Sequence, residues 1–364
     1  MLGNLFTLDY EIHGNGEGSP YQLMVAPTDR MLEQFDRYGA KLTIMADVAE
    51  ILKFKEHFEA TGKDTFDYLK IEEQLKRAIA TGHDVQLHIH SSYFKSKLVD
   101  GRWQQHWDEY SLADLPYQRV KEMIQTCKAY LESLLTAVDS TYRCHAFRAA
   151  NWSMSPSQNI VKALIEEGIN IDTSVFKYGK RNDRVKFDYT HSHSDLLPWP
   201  VDVLDVCKKD PDGELVEIPI YTELKNVWAF LTPNRVFRVF QASQHKHAKY
   251  DEPDMEEQEP AAQNNASKFS KLMSFFTDKH AWKFDFNQCT GTQLIRGLKR
   301  IDRQYGHLEK KLPVVLIGHS KIFTKINEKS LAPFLDFIAS NPDKYCFAKF
   351  GDFDLQSFKE EVTS

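Results

Sequence analysis

The feature that most constrains the fold is a recurring alternation of short apolar or β-branched runs with helical stretches. The runs are Leu5–Leu8, Leu42–Met45, Val85–Ile89, Cys144–Phe147, Ile169–Thr173, Leu215–Ile220, Val314–Ile317 and Tyr345–Phe350. Between them, Tyr68, Ile71, Leu75 and Ile79 keep the spacing of a helix with one buried stripe, as do Val120, Met123, Ile124, Cys127, Leu131 and Leu134. Gly82 follows the first of these helices as a stop, since glycine tolerates the left-handed conformation that ends many helices. Ser155-Pro156-Ser157-Gln158 reads as a helix start with Ser155 as cap and Pro156 in the first turn. Alternation of this kind predicts an α/β chain with parallel strands and crossover helices.

A chain of 364 residues exceeds a typical domain, but β/α barrels often run past 250 residues as one unit, so a single domain over 1–364 is expected. The pattern breaks between about Thr232 and Phe286, where a basic Gln244–Lys249 stretch precedes an acidic Asp251–Pro260 run. That interval, 232–286, reads as a solvated, partly helical insertion. The 46 basic and 52 acidic residues give a net charge of −6, and no contiguous Lys/Arg block offers a footprint for nucleic acid. Met1 leads straight into a strand-like run, without a signal peptide's charged and apolar regions, and no apolar run reaches the roughly 20 residues that span a bilayer. Cys127, Cys144, Cys207, Cys289 and Cys346 are odd in number and scattered, which predicts reduced thiols. Together these features imply a cytoplasmic protein.

Several runs end in polar residues: Asp9, Tyr10, Glu11 and His13 after the first, His88 and His90 within and after the third, Arg148, Asn151 and Trp152 after the fourth, Asp172 and Thr173 at the end of the fifth, and His319 after the seventh. In a β/α barrel the C-terminal strand ends share one mouth, where residues remote in sequence assemble a site. Residues two apart on a strand face the same way, so Asp9 projects with Glu11 and His88 with His90. Two imidazoles and a carboxylate are a donor set for a catalytic divalent metal. His191 and His193 lie in a polar loop without a matching carboxylate pair and read as surface residues. Trp152, Trp199, Tyr221 and Trp228 are candidates for stacking on sugar rings.

At these positions the chain resembles the polysaccharide deacetylase family, the NodB homology domain. The resemblance runs from about Leu5 to Phe350 and is carried by LFTLDYEIHG, GHDVQLHIHSS, FRAANWSMSP, INIDTSV, LVEIPIY and LIGHSK in that order. It looks closest to deacetylase-like proteins associated with lipopolysaccharide O-antigen biosynthesis. The resemblance implies a distorted (β/α)7-type barrel, a divalent metal, zinc in the first instance, and hydrolysis of the acetamido C–N bond of an N-acetylated sugar, free or linked to a nucleotide or lipid. It implies Asp9 as general base, Arg148 as the residue orienting it, His319 as general acid, and Glu11 and His88 as metal ligands. The family's second histidine lies four residues after the first, where this chain has Ser92, so His90 serves instead. Other departures are Asp-x-Glu in place of adjacent aspartates, and Ala149-Ala150 after Arg148 where a proline and an aromatic are common. Tyr10, Asn151, Trp152, Asp172 and Trp199 complete the expected substrate surface, with Asp172 or Asp205 as the carboxylate partner of His319. Two rival readings share these residues: a non-catalytic sugar-binding or assembly protein, and a hydrolase of a non-sugar amide such as a cyclic ureide.

Overall fold

In the computed structural model, residues 1–235 and 278–359 are described. Nine strands form one mixed sheet: β1 (Leu2–Tyr10), β2 (Leu42–Asp47), β3 (Asp84–Ile89), β4 (Ala146–Ala149), β5 (Ile171–Asp172), β6 (Trp199–Pro200), β7 (Val216–Glu217), β8 (Leu312–His319) and β9 (Tyr345–Phe347). Their order is β6-β7-β5-β4-β3-β2-β1-β8, with β9 on β1. All eight expected runs contribute a strand, and every pairing is parallel except β6 with β7. The nine residues of β1 are all buried, as are the six of β2 and of β3. That two-sided burial is why these strands read as apolar runs rather than as an alternating pattern.

The sheet curls. After β7 the chain reaches Ile220, which forms a parallel bridge with Val315 of β8, while Asp285 bridges Ile317. The chain leaving one edge thereby meets the other, giving the distorted barrel. A hairpin of Thr222–Asn226 with Lys279–Lys283 leads into this closing segment. Of the expected 232–286 insertion, 279–283 form one strand of this hairpin and Asp285 joins the closing of the barrel, while 236–277 lie outside the described residues.

Among the described residues seven α-helices clothe the sheet: α1 (Ala26–Arg37), α2 (Val48–Thr61), α3 (Tyr68–Ala80), α4 (Tyr117–Leu135), α5 (Ser157–Glu166), α6 (Gly291–Tyr305) and α7 (Lys325–Ala339). α4 buries Val120, Met123, Ile124, Cys127, Leu131 and Leu134, the stripe expected from spacing. Gly82 follows α3 at φ +82°. The start of α5 differs from expectation: Pro156 occupies the cap position with no side-chain cap, and Ser157 is the first helical residue. The Ser157 hydroxyl instead donates to the Met154 carbonyl and accepts from the Val206 amide, so it ties the helix to a neighbouring loop. All five cysteines are free of disulfides, and among the described residues no helix is long and apolar enough to cross a membrane.

Candidate active site

Sheet register assembles the site. Asp9 on β1 lies opposite His319 on β8, Asp47 on β2 opposite His88 on β3, and His88 opposite Arg148 on β4. The alternation of strand side chains then sends Thr7, Asp9 and Glu11 the same way from β1. Thr7 and Asp9 meet Arg148, which is fully buried. Its guanidinium donates to Asp9 Oδ1 at 2.6 Å, to Thr7 Oγ1 at 2.7 Å and to the Thr173 carbonyl at 3.1 Å. A buried guanidinium satisfied on three sides fixes the carboxylate it faces. Burial opposes ionisation of Asp9, but Arg148 first, with His319 and His88, outweighs it and holds the carboxyl below its usual pKa.

Beside this pair stands the only group among the described residues with three or more metal-type donors: Glu11, His88 and His90, whose ligand atoms lie within 4.8 Å of one another. His88 Nδ1 donates to the Arg148 carbonyl at 2.8 Å, so Nε2 is the atom turned toward Glu11, 3.7 Å from Oε2. That is the tautomer a ligating imidazole needs, with its other nitrogen held by an acceptor. His90 Nε2 lies 2.6 Å from the same Oε2, while Lys321 Nζ occupies Oε1 at 2.7 Å. Burial works against charge on both ligand types. Lys321 and His90 nonetheless hold Glu11 well below its usual pKa, and Glu11, Asp9 and Asp47 lift His88 to about 9. Two imidazoles aimed at one carboxylate oxygen, all buried, suit a divalent cation as the missing centre of charge.

His319 Nε2 is 3.5 Å from Asp9 Oδ2, its amide donates to Asn287 Oδ1 at 2.6 Å, and its Nδ1 is buried without a partner among the described residues. Burial holds its pKa below the usual imidazole value, opposed by Asp9 and Glu11. Asp9 thus occupies the place by His319 expected for Asp172 or Asp205. Asp172 lies in β5 against Ser174 and Glu217, and Asp205 pairs with Lys208 at 3.3 Å.

These groups open into a cavity of about 260 Å³ lined by Asp9, Glu11, His88, His90, Asn151, Trp152 and His319, together with Tyr110, Lys283, Asp285 and Lys321. Eight of the expected residues therefore meet: Asp9, Glu11, His88, His90, Asn151, Trp152 and His319 on its wall, and Arg148 behind Asp9. Tyr10, Asp172 and Trp199 are not on that wall. Tyr10 faces away from Asp9 and Glu11 along the strand, and Trp199 is buried with its indole donating to the Val206 carbonyl at 3.0 Å. His191 and His193 are exposed.

Four contributors escaped sequence reasoning. Asp47 follows the run Leu42–Met45 by two residues and accepts from the His90 amide at 3.1 Å; the strand-end rule, applied to that run, finds it. Lys321 sits two residues after His319. Lys283 and Asp285 fell inside the interval read as an insertion. A larger groove of about 530 Å³ elsewhere carries Arg296, Lys299, Arg300 and Arg303 of α6 with Lys344 of the β9 approach. This basic stripe recurs every three to four residues, a periodicity that a search for contiguous charge does not register. Two of its cations are already paired, Arg300 with Glu223 and Lys344 with Asp302.

Neither a family model nor a curated protein matches the chain. Among solved structures it is similar to the 4-alpha-glucanotransferase of Thermococcus litoralis, with a TM-score of 0.50 and 13% identity over 96% of this chain and 40% of that one. The similarity to a Mycobacterium smegmatis protein assigned as a polysaccharide deacetylase has a TM-score of 0.47 at 13% identity over 96% and 88% of the two chains. The values for Puue allantoinase are the same, 0.47, 13%, 96% and 88%. At such identity the first likeness is one of fold: a mixed α/β chain with a curled sheet.

Proposed function

We propose that this protein is a metal-dependent amide hydrolase that removes the acetyl group from an N-acetylated sugar. The observation that carries the reading is the convergence of the Glu11, His88 and His90 donors with the Asp9–Arg148 pair and His319 in one cavity. Glu11, His88 and His90 would hold the ion, with zinc the first choice for two imidazoles and a carboxylate. Bound there, a divalent ion supplies a water acidified from a pKa of about 15.7 toward roughly 7, and polarises the acyl oxygen. Asp9, kept ionised and oriented by Arg148, takes the proton of the attacking water. His319 rests neutral at pH 7, receives that proton from Asp9, and delivers it to the sugar nitrogen as the C–N bond breaks. Acetate and a free amino sugar leave, and Asp9 and His319 return to their starting states. Lys321 balances the charge of Glu11 and steadies its carboxylate.

The motif order, read with the resemblance, supports a place in bacterial cell-envelope polysaccharide synthesis of the O-antigen kind, on a sugar linked to a nucleotide or lipid. Five unpaired cysteines suit the reducing cytoplasm. Elemental analysis of the purified protein, combined with acetate release from N-acetyl sugars in free, nucleotide-linked and lipid-linked form, tests the proposal. One equivalent of metal, lost in His88→Ala and kept in His191→Ala, together with acetate release, is the expected result. Metal without acetate release from any amino sugar turns attention to non-sugar amides. A protein with neither metal nor acetate release favours the reading of a sugar-binding protein on this fold.

A further inference from the structure

Besides the carboxylates of Asp9, Glu11 and Asp285, the cavity lining carries a group of unsatisfied donors that the hydrolytic scheme does not use. Lys283 ends its strand opposite Thr222, two residues before the Asp285 that bridges β8, and this register carries its side chain to the cavity. Its Nζ stands 3.6 Å from the centre of the Trp152 ring and 4.2 Å from that of Phe176. Among the described residues no carboxylate comes within ion-pair distance of it. An ammonium resting on two aromatic faces keeps part of its lost solvation as cation–π attraction, but its hydrogen-bonding capacity is unspent. Burial pushes its pKa down to about 8, against the pull of Asp285 and Asp9.

Two further donors belong to the lining of the same cavity. Asn151 Oδ1 accepts from Arg181 at 2.9 Å, which fixes the amide so that Nδ2 is the atom left over; Nδ2 is buried without a partner among the described residues. The indole Nε1 of Trp152 is in the same condition, and an indole N–H can only donate. Asn151 and Trp152 are consecutive non-glycine residues in the left-handed region, at φ 54° and 58°. Such strain persists where the surroundings hold it: Arg181 grips Asn151, and the Tyr189 hydroxyl donates to the Trp152 carbonyl at 2.5 Å. Buried donors without acceptors are costly, and a cation without a counter-ion more so. An acceptor-rich anion removes the deficit; a neutral sugar face supplies hydroxyls but no charge.

We propose that the substrate carries an anionic oxygen group, a carboxylate or a phosphate, that Lys283 binds with help from the Asn151 amide, and that this contact sets substrate choice. The inference rests on the deacetylase reading for the position of the scissile amide, and on the donor wall alone for the anion.

The test compares kcat/KM of the metal-loaded full chain on three acetamido sugars: neutral N-acetylglucosamine, the corresponding uronate, and the 6-phosphate. Wild type should prefer one or both anionic forms by roughly 30-fold, the worth of a desolvated charge contact of about 2 kcal/mol. In Lys283→Met that ratio should collapse toward one, chiefly through KM, and Lys283→Arg should restore much of it. Preference for the uronate assigns a carboxylate, and preference for the 6-phosphate a phosphate. Equal rates on charged and neutral sugars, or an unchanged ratio in Lys283→Met, overturn the proposal. If no acetamido sugar is turned over, the deacetylase reading fails separately, and calorimetry with glucuronate and inorganic phosphate decides the anion site. Binding that Lys283→Met abolishes and Lys283→Arg retains supports it; absent or Lys283-independent binding refutes it.

Discussion

Two buried carboxyl clusters stand on the same sheet and behave in opposite ways. At the end of β1, Asp9 is 2% exposed and ionised; between β5 and β7, Asp172 and Glu217 are both 0% exposed. Burial raises the pKa in each cluster, so depth does not distinguish them. Asp9 has a guanidinium at 2.6 Å, whereas Glu217 faces Asp172 across the parallel register of β7 and β5. Two buried carboxyls facing each other cannot both ionise cheaply, which favours keeping a proton on the pair. Burial first, and then Asp172, lift Glu217 well above its usual pKa. Asp172 also accepts from Ser174 at 2.6 Å, whose oxygen in turn accepts from the Ala149 amide at 2.8 Å. One cluster holds an ionised carboxylate against a fixed cation; the other is a proton-retaining brace that stitches β4, β5 and β7. A carboxylate at a strand end becomes chemistry when the fold supplies it with a fixed cation and an opening.

The comparison breaks most visibly at Asp9. Asp9→Asn should lower turnover by at least about 10³-fold, since the amide cannot accept the proton. It should also cost on the order of 3 kcal/mol of stability, because it leaves the buried Arg148 charge without its counter-ion. Acetate release and urea midpoints measure the two effects, and retained turnover would remove Asp9 from the base role. Arg148→Met should cost a similar roughly 3–5 kcal/mol, while the double substitution Asp9→Leu with Arg148→Met should cost less than Asp9→Leu and Arg148→Met measured singly and added, as a buried pair requires. Additive losses would show that the two side chains act independently.

His319→Ala should lower kcat by roughly 10²–10⁴ and leave metal occupancy intact. Loss of metal would instead make His319 a ligand. The smallest effect belongs to the Asp172–Glu217 cluster. A carboxyl with a raised folded pKa keeps its proton while the unfolded chain loses it, so Glu217 lends most stability below the unfolded glutamate value of about 4.3 and progressively less as pH rises above it. Glu217→Gln supplies a permanent donor to Asp172. It should raise the denaturation midpoint at pH 8 by the equivalent of about 1 kcal/mol relative to wild type, with a smaller gain at pH 5 and unchanged turnover. A gain independent of pH would mean that the wild-type pair holds no shared proton.

The contrast also marks what the sequence discloses. Strands buried on both faces announce themselves as apolar runs, so the parallel sheet was legible from Leu5–Leu8 through Tyr345–Phe350. The i, i+2 pairs Asp9/Glu11 and His88/His90 were legible because strand geometry alone puts each pair on one face. Strand-end position could not separate Asp9 from Asp172, since both satisfy it; the difference lies in which neighbouring strand supplies a cation, and register decides that. Lys283 and Asp285 were hidden because the closing segment is short, follows a polar stretch, and completes the barrel by isolated bridges rather than by an apolar run. Trp199 was read by residue type, but its indole was already committed to Val206.

The pairing of β1 has a consequence for how the protein is made. The Thr7 hydroxyl donates to the Leu316 carbonyl across 309 residues of sequence, and β1 takes β2 and β9 along its other edge. Of the nine sheet strands, β1 thus leaves the ribosome well before the partners that complete its edges. Until β8 and β9 emerge, the apolar edge of β1 has no native neighbour there, and Asp9 and Glu11 lack His319 and Lys321. Folding that depends on such distant contacts is slow and exposes unpaired edge strands meanwhile. C-terminal truncation before Leu312 should therefore yield a chain that aggregates during synthesis rather than a weakened enzyme, and chaperone supply should govern its yield more than any surface substitution.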